Sequence, residues 1–129
     1  MSFILVPNLG EDVQVNAWNW RPTVEFLRAQ NVITSDHAEL LTCHGTDARV
    51  DADLANRMTA AVEDKLSAMK SGERLRADLT VTAAPKTPAV FSPDMKPDDI
   101  DANELYSATH EWLATFRDFC RRSRGFLVS

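Results

Sequence analysis

The sequence predicts an α+β fold, with about four helices and a few short strands in one compact domain. Three observations carry that expectation. Residues 51–70 place Leu54, Met58, Ala61, Val62, Leu66 and Met69 at steps of three or four, the period of a helix with one buried face. Near the C-terminus, Leu105, Ala108, Trp112, Leu113, Phe116, Phe119 and Cys120 form a second such stripe. Between them "RLRADLTVTA" alternates apolar and polar residues, as a half-exposed strand does. With 129 residues and 44% hydrophobic content, one core can form without disulfide or metal staples.

In chain order, "FILVP" (3–7) reads as a short buried strand interrupted by Gly10 and Glu11-Asp12. "VQVNAWNW" (13–20) then alternates, which puts Trp18 and Trp20 on one side of an extended segment. Pro22 suits a first helical position, so the first helix is expected from about Pro22, with Val24, Leu27 and Phe26 buried and Asn31 at its stop. Asp36 and Glu39 suggest the cap of a short helix burying Leu40 and Leu41 and ending at Gly45. Asp51 caps the helix that follows and "KSGE" ends it. Four prolines (85, 88, 93, 97) mark a loop over about 84–100, either mobile or packed by Phe91. The acidic run Asp98, Asp99, Asp101, Glu104 reads as favourable charge at the start of the last helix. Gly125 stops that helix, and "FLVS" is a strand or a packed tail.

The tryptophans are the bulkiest apolar groups in the chain, and a small domain seldom leaves two indoles wet, so Trp18 and Trp20 are expected in the core rather than under a ligand. Asn16 and Asn19 are the expected acceptors for their indole N–H groups. If the chain has a pocket, its candidate residues are Trp18, Trp20, Arg21, His110 and Trp112.

Other chemistries find little support. His37, His44, His110, Cys43 and Cys120 lack any metal-binding spacing, and the acidic run has no calcium-loop glycine. Cys43 and Cys120 read as small buried hydrophobes, and the Cys43-His44 neighbours diverge if helical, which disfavours a catalytic pair. No phosphate-cradling glycine loop, dinucleotide fingerprint or hydrolase nucleophile elbow occurs, and no cofactor is implied. "RDFCRRSR" groups Arg117, Arg121, Arg122 and Arg124, but a net charge of −5 weighs against nucleic acid or anionic membranes and suits a basic partner protein. "FILVP" is too short for a signal-peptide core or a membrane span, so a cytoplasmic protein is expected.

The segments "NAWNWRPTVEFLR" (16–28), "VDADLANRMTAAVE" (50–63) and "YSATHEWLATFRDFCRRSRGFLV" (106–128) together resemble a family of small uncharacterised single-domain bacterial proteins. Its marks are an N-x-W-x-W-R-P entry to the first helix and a W-L-x-x-F-x-x-F helix closing in a G-F turn. The basic "SRGF" turn departs from that pattern. The resemblance implies a bacterial, cytosolic, single-domain protein of no established activity. By analogy with small toxin-neutralising immunity proteins, the leading expectation is a non-enzymatic protein-binding module, an immunity- or antitoxin-like protein being one version. The alternative is a small enzyme or ligand binder using the pocket candidates above. RNA binding through the arginines is the third.

Overall fold

The computed structural model describes residues 2–43, 48–83 and 106–129. The Pro-rich stretch, Gly45, His44, Leu105 and the acidic run lie outside the described residues. Within them the chain is α+β, with four helices and seven short strands in two small antiparallel sheets.

Strand β1 (Ser2–Pro7) pairs with β2 (Val13–Asn16), Phe3 opposite Val15 and Leu5 opposite Val13. Its other edge takes the C-terminal strand β7 (Phe126–Val128), which also pairs with β3 (Ala48–Val50). The order β2-β1-β7-β3 therefore puts both chain ends at the centre of one sheet. Alternation sends Phe3, Leu5, Val15, Phe126 and Val128 inward, while Ile4 and Gln14 face solvent.

Helix α1 (Ala17–Ala29) begins five residues before the expected Pro22. Asn16 is the reason: in an extended conformation, its side chain accepts the Asn19 N–H at 2.9 Å, a strong N-cap. Pro22 is accommodated in the second turn, where its missing N–H deprives the Trp18 carbonyl of its helical partner. This changes the geometry of the tryptophans. Two helical positions apart they diverge by roughly 200° rather than sharing a side. Trp20 goes wholly into the core, and Trp18 stays half-buried at the surface. The helix ends as expected at Asn31 (φ 59°). Its N–H donates to the Arg28 carbonyl while that of Val32 donates to the Leu27 carbonyl.

Helix α2 (Ser35–Leu41) is capped by Thr34, not Asp36, and buries Ala38 and Leu41. Leu40, expected inside, is 49% exposed. A seven-residue helix set on one wall buries a single narrow stripe, and Leu40 falls off it. Cys43 follows the helix and is exposed, correcting the expectation of a buried thiol; Cys120 is buried as expected. Asp51 caps α3 (Ala52–Ala68) as its sequence suggests, accepting the Leu54 N–H at 2.8 Å.

The alternating stretch 74–82 is a hairpin rather than one strand. Strand β4 (Arg74–Arg76) turns into β5 (Val81–Thr82) and also pairs with β6 (Ser107–Thr109). Asp78 closes the turn by accepting the backbone N–H and hydroxyl of Thr80, hydrogen bonds that hold its carboxyl below the usual carboxylate range. Leu79 takes a positive φ of 71° there. Arg74, on the outward parity, is nearly fully buried and donates to the Ser107 hydroxyl.

The last helix, α4 (His110–Ser123), starts later than its apolar pattern suggests, because Thr109 caps it by accepting the Trp112 N–H. Ala108 is therefore a strand residue. Among the described residues, Glu111 supplies the negative charge of the first turn. Trp112, Leu113, Phe116, Phe119 and Cys120 form the buried stripe, facing α3.

The two thiols provide a direct check on this packing. Burial pushes the Cys120 thiol pKa well up, and the thiolate is the reactive form. A maleimide or aromatic disulfide reagent is expected to label Cys43 rapidly in the native protein, and Cys120 only on global unfolding. Equal labelling rates for both positions would contradict the fold.

Candidate functional site

The five pocket candidates do not meet at one opening. Trp20 is fully buried, its indole N–H donating to the Leu41 carbonyl at 2.8 Å. The Trp112 indole donates to Thr23 Oγ1 at 2.9 Å, and Thr23 in turn donates to the Asn19 carbonyl. The Trp20 acceptor is not one of the asparagines expected from sequence: Asn16 caps α1, and the Asn19 side chain accepts the Thr109 N–H at 3.0 Å. From Phe3 the rings of Trp20, Trp112, Phe116, Phe126 and Phe119 run in contact, with centroids 5.1–6.5 Å apart. Most of these pairs are edge-on, the favoured aromatic geometry. His110 is half-buried at the start of α4, where its backbone N–H donates to the Glu73 carbonyl.

The Thr23 hydroxyl is thus the hinge of a buried polar chain. Thr23→Val keeps the shape but strands the Trp112 indole N–H, and is expected to cost about 1–3 kcal/mol. The midpoint of urea unfolding measures it, and an unchanged midpoint would show that the indole finds another acceptor.

Trp18 and Arg21 belong to a different place. Trp18 packs on Tyr106 with ring centroids 4.8 Å apart, and the Arg21 guanidinium lies 5.6 Å from the Tyr106 centroid. Tyr106 and Arg21 line an open groove of about 590 Å³ between α1 and α2. One wall is Arg21, Val24, Glu25 and Arg28 of α1, and the other is Ser35, Ala38 and Glu39 of α2 with Thr42; Ala77 completes the lining. Both walls follow the spacing i, i+3, i+4, i+7, one face of each helix.

Charge in the groove is unevenly neutralised. Arg28 binds the Glu25 carboxylate through two nitrogens, and these hydrogen bonds hold the Glu25 carboxyl below the usual carboxylate range. A lowered carboxyl pKa gives an interaction present above the unfolded-state value and lost as pH falls through the folded one. The pair therefore stays charged into mildly acid solution. Arg21 and Glu39 make no ion pair among the described residues.

The arginines of α4 are occupied within the fold. Arg117 pairs with Asp118 and Arg121 with Glu63. Arg122 lies over the Phe119 ring and donates to the Glu11 carbonyl of the β1–β2 turn. Arg124 lies past the helix end, and its bond is a backbone one, its carbonyl accepting from Asn8 Nδ2. Among the described residues no three histidine, cysteine or carboxylate side chains gather as a metal site, and no helix is long and apolar enough to cross a membrane. The His37 ring bonds the Arg49 carbonyl of β3.

Sequence reasoning found Arg21 but missed Tyr106, Glu39 and the rest of the groove. The paired helical spacings were a signal, but only the tertiary angle between α1 and α2 turns two stripes into two walls. Comparison with models of known families, with curated proteins and with solved structures returns no match to this chain.

Proposed function

We propose that this chain is a non-enzymatic, cytoplasmic protein-binding module that takes a polypeptide segment of its partner in the α1–α2 groove. The observation that carries the reading is the groove's make-up. It is open, with apolar lining from Val24, Ala38 and Ala77, the aromatic Tyr106 beside the cationic Arg21, and the carboxylates of Glu25 and Glu39 on its two walls. An open trough leaves a metabolite mostly in water, whereas small-molecule sites bury most of their ligand. A polypeptide covers such a surface, using the apolar lining for affinity and the charged side chains for register. The net charge of −5 favours a partner that is basic overall, as an immunity-like protein facing a basic toxin would need.

The test is site-specific photocrosslinking. A benzoylphenylalanine at Ser35 should capture a defined protein from native lysate, competed away by excess unlabelled wild type. The same group at exposed Arg57, on α3, should not. Capture equal at both positions, or at neither, overturns the reading. So does a metabolite that raises the melting temperature through this groove.

A further inference from the structure

We propose that the occupant of the α1–α2 groove is an amphipathic helix of the partner protein, which sets an acidic side chain against Arg21 and a basic one against Glu39. This rests on the polypeptide-binding reading and names the form and charge of what is bound.

The backbone argues for a helix. Both walls are helices that bond their own backbone groups apart from the end turns and the Trp18 carbonyl, and at the groove end the Ala77 N–H is already donated to the Tyr106 carbonyl at 3.0 Å. An extended segment would find no ladder of partners there and would leave its own backbone groups unpaired at the buried face. A helix brings those groups already bonded. The small side chains of the lining let it approach closely, as ridges of one helix settle between those of two others.

The charges argue for its orientation. Trp20 bonds the Leu41 carbonyl, so the Arg21 end of α1 lies beside the Thr42 end of α2. Arg21 and Glu39 therefore stand on facing walls, Glu39 about one helical turn further from that end. Glu25 is neutralised by Arg28, which leaves these two as the groove's charges without an ion pair among the described residues. Arg21 is further held over the Tyr106 ring, which fixes its planar head group for a carboxylate. A helix with one acidic and one basic flank satisfies both walls in one direction only.

A displayed library of short peptides, selected against the whole protein and separately against its R21E/E39R variant, tests this. Wild type should enrich sequences of helical apolar period with an acidic and a basic flank. The charge-swapped variant should enrich the inverted flanks and bind the first set about tenfold more weakly. Glu39→Trp, at an exposed position of the groove wall, fills the trough and should abolish binding with the melting temperature unchanged. Failure to enrich any peptide, enrichment without helical period, identical charge patterns from both selections, or undiminished binding to Glu39→Trp each overturns the proposal. If the Ser35 crosslink still captures a protein, only the helix is refuted; if it too is lost, the polypeptide reading falls with it.

Discussion

Trp20→Ala is expected to destabilise the protein by about 3–5 kcal/mol, the usual cost of removing a large buried aromatic. Trp20 is fully buried and touches the rings of Phe3, Trp112 and Phe116, so its loss opens a cavity where β1 and α4 converge. It also frees the Leu41 carbonyl, the bond that ties the end of α2 to α1. Against a typical domain stability of about 5–15 kcal/mol, such a loss takes about a fifth or more of what holds the native state. The matched control is Trp18→Ala, two residues earlier. That change removes one surface stacking partner of Tyr106 and is expected to cost about 0.5–1.5 kcal/mol. Urea unfolding of the two variants reads the contrast directly. Equal losses would mean that both indoles share one side of the chain, as an extended segment would place them.

That contrast also marks where sequence reasoning succeeds and where it stops. Period and caps made the α+β class, the start of α3 at Asp51 and the stripe from Trp112 to Cys120 legible, because each rests on local spacing and on one capping side chain. Pro22 misled because its preference for a first turn competes with the Asn16 cap, and the hydrogen bond from the Asn19 N–H wins. The stretch 74–82 misled because strict alternation is common to one strand and to two strands joined at a turn. The Asp78–Thr80 hydrogen bonds and the Leu79 N–H donated to the Arg76 carbonyl break the tie. The groove was least legible. Its residues come from two helices, a hairpin turn and the approach to β6, and no spacing within the chain records the angle at which these meet.

The second large effect is expected at Gly125, where replacement by Ala combines two costs. The residue has a φ of +99°, and an L side chain in a left-handed conformation costs roughly 1–2 kcal/mol. Space is the second cost. A Cβ there would stand 2.8 Å from the Val50 carbonyl oxygen, 2.9 Å from Asn8 Nδ2 and 3.2 Å from the Ala52 nitrogen. Two of these are backbone atoms at the junction of β3 and α3, which cannot swing aside as a flexible side chain can. Overpacking of this kind adds about 1–3 kcal/mol, for a total of about 2–5 kcal/mol. The junction is consequential because the Gly125 carbonyl accepts the Asn8 N–H at 2.9 Å immediately before β7 enters the sheet between β1 and β3. Displacing it strains the central strand of that sheet and the start of α3 together. Gly72 separates the two costs, since its φ is +89° but a Cβ there meets nothing within 4 Å. Gly72→Ala should therefore show the conformational penalty alone, and the excess loss at Gly125, taken from paired urea midpoints, measures the steric part. If the two substitutions lowered stability equally, the close approach of the C-terminal turn to Val50 would be wrong, and with it the pairing of β7 against β3.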